Sequence, residues 1–340
     1  MRVQHDIPLS KLTTMKLGGP ARNVITITKV TSIPAAYEYA RTHNLPIQVI
    51  GGGSNLLARD EGFDGLIIRN KLKGIKIVRQ DAAHAVIRAD SGEILDDLVR
   101  FTVRRKLSGI ELLSAIPGTV GAAPVQNSGA YGQEIGDSLL SVEVYDIEKD
   151  TIRTLQRDEL MLAYRHSIFN SEAVGKYFII SITIRLNKTP LKPPFYNSLQ
   201  AYLEDKAITN YTPANLRTAV MSIRADKLPD PNKVASAGSF FKNVVMTAKE
   251  AKDFRERFPD APVYAQNGQH KLATAWLLDQ AGLKGKTFHG MTISPQAPLV
   301  LINTSAKNFR DLERARDKII AKIEDQFGIT ISPEPQIIGS

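Results

Sequence analysis

IPGTVGAAPVQNSGAYG, residues 116–132, is the stretch on which the reading of this chain turns. Glycines stand at 118, 121, 129 and 132, with Ala122, Ala123, Ser128 and Ala130 between them, and Gln126 and Asn127 add amide donors. Glycine has no Cβ, so main chain can approach a neighbour closely and successive N–H groups can point into one concavity. A segment this long and this small suits a flat, extended ligand held by backbone groups. A loop-rich structural segment is the plainer alternative.

A second small-residue segment, GGGSNLL (51–57), follows directly on the strand-like PIQVI (46–50). No Gly-Lys-Ser/Thr follows it, so it is not a P-loop. It also departs from the G-x-G-x-x-G dinucleotide fingerprint. Alone it would pass for a tight turn. Paired with 116–132, it points to a large cofactor whose pyrophosphate and ring are held mainly by main chain.

With 340 residues the chain has room for two or three domains with cores of their own. Its 43% apolar and 23% charged residues are those of an ordinary globular protein, which excludes wholesale disorder. The absence of cysteine removes disulfides, thiolate metal sites and cysteine nucleophiles, and fits a reducing compartment. The opening MRVQHDIPLSK lacks the apolar core of a secretion signal, and no run reaches the ~20 apolar residues that span a bilayer. A cytoplasmic protein without membrane contact is expected. The net charge of +9 suggests anionic partners. The basic residues are dispersed, as at Arg69, Lys71, Lys73, Lys76 and Arg79, and no aromatics interleave them to make a nucleic-acid stacking platform.

Strands are expected at 23–28, 46–51, 65–70, 84–90, 141–147 and 177–186, the last well buried. Helices are expected at 33–44, with Pro34 in its first turn, and after a capping Ser91, with Ile94, Leu95, Leu98 and Phe101 at helical spacing. The Pro-rich stretches 187–198 and 226–233 read as loops at domain boundaries. Beyond them, helices are expected at 247–258, 270–281 and 307–327, the last ended by Gly328, with a strand at 298–303. The tail 328–339 reads as extended chain returning to pair with another domain.

AGSFFKN (237–243) poses the chemical question. Ser239 could be a turn serine entering a buried strand, a nucleophile or a source of a proton. A nucleophile needs an activating base and an orienting group, and neither is signalled nearby. The six histidines stand alone, without paired-ligand spacing, so no metal site is expected. Asp96 and Asp97 are adjacent on a helix and point different ways, so they do not form a catalytic pair.

Taken with YRHSIF (164–169), KLPDP (227–231) and the terminal SPEPQIIG (332–339), these segments resemble the UDP-N-acetylenolpyruvoylglucosamine reductase family. The matches run in the family's order from about residue 14 to 338. The stretch 116–132 and the G-S-F-F-K-N box are specific; the triple glycine is shared more widely among vanillyl-alcohol-oxidase-type flavoproteins. The resemblance implies an α+β fold: a two-part FAD-binding module of PCMH/vanillyl-alcohol-oxidase type plus a smaller α/β substrate-binding domain. The implied division is 1–72, joined by the tail 329–340, then 73–225, then 226–328. FAD contacts are implied at Gly52, Gly53, Ser54, Asn55, Ile116, Pro117, Gly118, Gly121, Gly129, Ala130 and Tyr131. Ser239 aligns with the family's proton donor, and Arg165 and Glu334 with its companions in catalysis. Lys227, Asn243 and Tyr196 align with substrate-binding positions, and Tyr164 neighbours them. Three places depart from the pattern: Val244 follows Asn243 where proline is frequent, Pro335 follows Glu334, and Tyr196 rests on a short match.

The implied activity is NADPH-dependent reduction of the enolpyruvyl ether of UDP-N-acetylglucosamine, giving UDP-N-acetylmuramate for bacterial peptidoglycan, by a monomer. Negative charge building at the substrate's C2 and carboxylate would meet Arg165, a permanent cation that can grip both carboxylate oxygens. Ser239 would protonate C2, with Phe240 and Phe241 excluding water. Glu334 would share hydrogen bonds with the carboxylate, and Lys227 would meet substrate phosphate. Two rivals stand beside this reading: an FAD oxidase of another alcohol or sugar on the same fold, and a non-catalytic nucleotide- or nucleic-acid-binding protein.

Overall fold

The computed structural model describes residues 2–230, 233–266 and 268–339, so Pro231 of the KLPDP motif and Asn232, both within the stretch 226–233 expected as a loop, lie outside the described residues. The chain forms two compact units. One comprises the residues up to Ile7, Ala21–Gly52 and Asp64–Asp226; the other comprises Pro8–Pro20, Gly53–Phe63 and everything from Lys227 onward.

Among the described residues the first unit holds two larger sheets and one of two short strands. A four-stranded sheet has the order Val3–Pro8, Pro20–Ile27, Phe63–Asn70, Ile47–Ile50, the last two strands parallel. Helix α1 (Ile33–Thr42) has proline in its first turn, as expected, and buries Ile33, Ala36, Tyr37 and Ala40. A five-stranded antiparallel sheet has the order Thr151–Gln156, Leu139–Asp146, Tyr177–Asn187, His84–Asp90, Ile75–Gln80. Its central strand, Tyr177–Asn187, is buried on both faces. Phe178 and Ile180 join the core around Tyr37, whereas Ile182, Ile184 and Leu186 join the core around Val142 and Leu98. Residues two apart normally share a face. A register shift between Glu143 and Val144 on the neighbouring strand accounts for the change of side, because a bulge flips the faces beyond it.

Helix α2 (Leu95–Val103) differs from expectation at its start. Its N-cap is Ile94, without a side-chain cap, and its buried residues are Leu95, Leu98, Val99 and Thr102; Ile94 is exposed. Ser91 is engaged elsewhere: its Oγ accepts from Asn70 Nδ2 at 2.7 Å, and its backbone binds Ile180 and Gly121. Three further helices complete the unit: α3 (Ile135–Ser138), α4 (Asn197–Asp205) and α5 (Pro213–Lys227). The last two pack through Leu199, Leu203, Leu216, Ala219, Val220 and Ile223. Helix α5 takes up Asp226 and Lys227, which had been expected in a loop.

The second unit is built on α6 (Ala248–Arg257), α7 (Thr274–Gln280) and α8 (Phe309–Phe327). Helix α8 buries Phe309, Leu312, Ala315, Ile319, Ile323 and Phe327, and Gly328 ends it in the left-handed conformation, as expected. The carboxylate of Asp60 accepts the N–H groups of Phe309 and Arg310 at its start. One antiparallel sheet has the order Ser236–Ser239, Val300–Asn303, Met291–Ile293, Thr287–Phe288. A second has Gln269–Leu272 between Val244–Met246 and Val263–Gln266. The helix expected over 270–281 therefore starts only at Thr274. Residues 269–272 are drawn into a strand because partners on both sides satisfy their backbone groups. The tail does return to pair, Gln336–Ile337 running parallel with Leu56–Leu57, but those partners belong to the same compact unit as the tail itself. No helix of the described residues is long and apolar enough to cross a membrane.

Ile182→Ala removes a fully buried side chain from the central strand of the first unit. It is expected to lower unfolding free energy by about 2–5 kcal/mol. Chemical denaturation of the purified protein measures it, and a loss below about 1 kcal/mol would contradict the two-sided burial.

Candidate active site

The two glycine-rich segments meet within the first unit. A Cβ on Gly52 would lie 3.2 Å from Gly118 Cα, and one on Gly51 would lie 2.2 Å from Thr119 Oγ1. A side chain at Gly51 has no room, and one at Gly52 would fit only if its neighbour gave by a few tenths of an ångström. Among the described residues, the N–H groups of Gly52 and Gly118 donate to no backbone acceptor. Backbone N–H groups without a backbone acceptor suit phosphate oxygens. Gly121 serves differently: its N–H donates to Ser91 O at 2.8 Å, and a Cβ there would strike Ser91 Cβ at 2.5 Å. The Ile116 N–H is likewise committed, to Leu113 O at 3.3 Å.

Gly129–Ala130 pairs with Gln133–Glu134 in a tight hairpin whose tip is Tyr131–Gly132. Both tip residues have positive φ, 52° and 83°, the geometry of a type I′ turn. For a tyrosine that conformation is strained, and strain of this kind concentrates where structure serves function. The ring of Tyr131 meets that of Tyr196 edge-on, centroids 6.2 Å apart, and its hydroxyl hydrogen-bonds the Arg224 guanidinium. Burial pushes the Tyr131 hydroxyl above its ordinary pKa even so. Burial also pulls Arg224 below its usual value, with Tyr131 and Asp96 opposing it. A turn earlier on α5 than Arg224, and one more, stands Arg217, whose guanidinium grips Asp96 at 2.6 and 2.7 Å. Asp96 also accepts the Ala115 N–H at 2.6 Å. Asp97 pairs with Arg100 instead, so the two aspartates do point apart.

Tyr164 and Arg165 form the tip of a turn closed by reciprocal hydrogen bonds between Ala163 and His166 at 3.1 Å. Arg165 has φ 54°, and its guanidinium carbon lies 5.4 Å from the centroid of the Tyr164 ring. The turn is fastened to the glycine-rich stretch, since Asn127 Nδ2 donates to Ala163 O and Ser167 Oγ donates to Val125 O at 2.6 Å. Asn127 is 2% exposed and also binds Glu134 and the Gly136 N–H. Its amide, expected to face a ligand, is a fastener within the protein.

In the second unit, Ser239 ends the strand Ser236–Ser239 and is half-buried, while Phe240 and Phe241 are sunk in the core with rings 5.1 Å apart. These rings anchor the strand on either side of its hydrogen bonds. The Phe240 N–H donates to Leu299 O at 2.6 Å, and its carbonyl accepts the Glu334 N–H at 2.8 Å. Lys242 N–H donates to Ser332 O at 3.0 Å, and Phe241 bridges Pro333. The tail is thus laddered onto the G-S-F-F strand, which puts Glu334 beside Ser239's chain neighbour. Asn243 Oδ1 accepts the Thr274 N–H at the start of α7. Lys227 ends α5 and is exposed. The loop Gly53–Asn55 is held from two sides: Gly53 O accepts the Thr14 N–H, and Asn55 O accepts the Gln336 N–H. Gly53 has φ 68°, and a Cβ would meet Leu12 O at 1.9 Å.

Within each unit the fold therefore gathers what the sequence scattered. Gly52 meets Gly118, Arg165 is fastened to the stretch 116–132, and Tyr131 meets Tyr196. In the second unit, Glu334 joins Ser239. Arg217 and Arg224 went unread in the sequence. Their spacing of seven on one helix, just ahead of the KLPDP motif, was the signal available. Among the described residues no group of three His, Asp or Glu could hold a metal ion.

An FAD binding domain model matches residues 21–156, and a model of the UDP-N-acetylenolpyruvoylglucosamine reductase C-terminal domain matches residues 230–338. The chain is 38% identical over 295 residues to the UDP-N-acetylenolpyruvoylglucosamine reductase of Shewanella oneidensis, covering 86% of this chain and 85% of that one. The enzyme of the same name from Amoebophilus asiaticus is 34% identical, with 99% of this chain and 100% of that one aligned. The fold is that of UDP-N-acetylenolpyruvylglucosamine reductase from Thermus caldophilus, with a TM-score of 0.66, 23% identity and 99% of each chain covered.

Although burial opposes it, Arg217 and the Ala115 N–H hold the Asp96 carboxyl below the usual carboxylate pKa. A depressed folded-state pKa contributes stability that is fully present above the unfolded value of about 4 and is lost as pH falls through the folded one. Asp96→Asn is therefore expected to cost about 1–3 kcal/mol at neutral pH. The gap to wild type should narrow as denaturation is repeated below about pH 4. A gap independent of pH would remove the ion pair as its cause.

Proposed function

The chain belongs to the UDP-N-acetylenolpyruvoylglucosamine reductase family, and from that membership we infer how its residues divide the work. The protein is an FAD-dependent oxidoreductase that reduces the enolpyruvyl ether of UDP-N-acetylglucosamine with NADPH, yielding UDP-N-acetylmuramate for peptidoglycan. The observation that carries this reading is the joining, in one chain, of an FAD binding domain to the reductase's own C-terminal domain. An oxidase of another alcohol on the same fold would give no reason for the second. The protein is read as a cytoplasmic monomer whose partners are NADPH and the sugar nucleotide, serving cell-wall growth and division.

The N–H groups of Gly52 and Gly118, which have no backbone acceptor among the described residues, and the close backbone approach between these glycines fit a pyrophosphate-bearing cofactor. FAD would be held by Gly52, Gly53, Ser54 and Asn55, by Ile116, Pro117, Gly118 and Gly121, and by Gly129, Ala130 and Tyr131. Since Ile116 and Gly121 have committed their N–H groups, they would touch it through other atoms. Bound FAD supplies the two-electron relay between NADPH and the substrate's double bond.

Reduction builds negative charge at the substrate's C2 that spreads into the adjoining carboxylate. Arg165 meets that charge. Its strained backbone, fastened through Asn127 and Ser167, presets the guanidinium and leaves less reorganisation for the reaction itself. Ser239 delivers the proton to C2. A hydroxyl is a weak acid towards water yet sufficient towards a carbanion, and the buried Phe240 and Phe241 keep its strand from shifting. Glu334, carried to Phe240 by the tail, hydrogen-bonds the carboxylate side of the intermediate. Lys227 would meet the substrate's phosphate, and Asn243, Tyr164 and Tyr196 would make further substrate contacts. We keep the three-part organisation: residues 1–72 with the tail, and 73–225, as flavin-binding subdomains, and 226–328 as the substrate-binding domain. The core around Tyr37 draws mainly on residues before 73, with Tyr145, Phe178 and Ile180 joining it from beyond.

Anaerobic stopped-flow tests the roles. In Ser239→Ala, flavin bleaching by NADPH should proceed at the wild-type rate, while recolouring by the enolpyruvyl sugar nucleotide slows by about 10²–10⁴. Equal slowing of both steps would make the serine structural only. Arg165→Ala should likewise spare bleaching and lose about 10²-fold or more in recolouring. Turnover near wild type would refute charge stabilisation by Arg165.

A further inference from the structure

Helix α5 attaches to the glycine-rich stretch near both of its ends, and each attachment falls on a strained residue. Arg217 reaches Asp96 with both terminal nitrogens, and the same carboxylate oxygen that accepts one of them accepts the Ala115 N–H. Ala115 has φ 58° and stands directly before Ile116, Pro117 and Gly118. Seven residues along the helix, Arg224 bonds the hydroxyl of Tyr131, which has φ 52° and lies near the far end of the stretch. Residues seven apart share a helix face about 10 Å apart along the axis, so one rigid edge carries both arginines. An L-residue with a side chain is disfavoured in the left-handed region and persists there only when its surroundings hold it.

The beginning of α2 completes the grip. Leu95 N–H donates to Gly118 O at 3.1 Å, and its neighbour Asp96 takes the Ala115 N–H. The short run 115–118 is therefore pinned at both ends by consecutive residues of α2, one of which is itself held by α5. The ion pair is well enclosed, with the Arg217 side chain 12% exposed and that of Asp96 27%. A bidentate guanidinium–carboxylate contact fixes orientation as well as distance.

We propose that Arg217, acting through Asp96, and Arg224, acting through Tyr131, are positioning residues that hold the stretch 115–131 in its cofactor-receiving conformation before FAD arrives. The proposal rests on the reading of residues 116–131 as a flavin-binding segment. Its physical content is preorganisation: the backbone is already in the conformation that binding needs, so the cofactor's binding energy is not drawn on to impose it. A plain structural ion pair would stabilise α5 without reference to the backbone conformation at Ala115. Glycine occupies the left-handed region without steric penalty, so Ala115→Gly relieves the very strain that Arg217 is proposed to hold.

Apoprotein is titrated with FAD, following the quenching of flavin fluorescence, and its thermal unfolding is recorded alongside. Arg217→Met should weaken FAD binding by about tenfold, and adding Ala115→Gly should restore it to within about twofold of wild type. Arg217→Lys, which cannot make the bidentate contact, should keep most of the loss. Should Arg217→Met fail to fold, Ala115→Val serves with the ion pair intact. A β-branched residue resists the left-handed conformation more strongly than alanine, so FAD affinity should fall there too. Wild-type affinity in Arg217→Met or in Ala115→Val, or a loss that Ala115→Gly leaves unchanged, would overturn the proposal. A wild-type chain that quenched no flavin fluorescence would instead remove the cofactor reading beneath it.

Discussion

Backbone meets backbone at Gly52 and Gly118, and much else in the first unit exists to keep that approach open. A side chain on Gly51 would collide with Thr119, and one on Gly121 with Ser91. These two glycines are therefore required by packing, before any ligand is considered, and Gly52 stands in a tight contact of its own. The cost is a main chain with little of its own to hold it: small residues bury little apolar area and carry few side-chain contacts. The surrounding fold supplies what the stretch lacks. Asp96 holds Ala115, Leu95 holds Gly118, Ser91 holds Gly121, and Asn127 and Ser167 tie the next turns to Ala163 and Val125.

The second unit solves a different problem, that of presenting a small hydroxyl at a fixed point. Ser239 has few rotamers but no anchoring bulk of its own. Its chain neighbours provide the bulk, as two phenylalanines in the core and as a hydrogen-bonded strand with a partner on either side. One of those partners is the C-terminal tail, and it brings Glu334. A residue some ninety positions distant in sequence thereby enters the same local geometry. The tail continues past that point to pair with Leu56–Leu57, next to Gly53–Asn55. Its register is thus fixed at two places.

Among the described residues, four of the twelve non-glycine residues with positive φ fall where the chemistry is read, and the other eight are scattered along the chain. Ala115, Asn127, Tyr131 and Arg165 all lie in or beside the glycine-rich stretch and the turn fastened to it. Each conformation costs about 1–3 kcal/mol that ordinary packing would avoid. Each is also over-determined, by Asp96 at Ala115, by Glu134 and Ala163 at Asn127, by Arg224 and Tyr196 at Tyr131, and by Asn170 at the Arg165 carbonyl.

The sequence by itself determined the elements whose signal is local. Helices α1 and α8 follow from apolar spacing, Pro34 and Gly328, and the strand Tyr177–Asn187 from its isoleucine-rich run. The small-residue segments and the G-S-F-F-K-N box were equally plain, because composition over a short window carries their meaning. Tertiary structure alone decided the rest. Residues 269–272 look helical until partners appear on both sides, and Ser91 caps no helix because Asn70 and Gly121 claim it. Helix α5 was unread, since its polar sequence shows a weak apolar face and its arginines gain significance only from Asp96 and Tyr131. Local spacing dictates which groups share a face; only the packed chain dictates what that face meets.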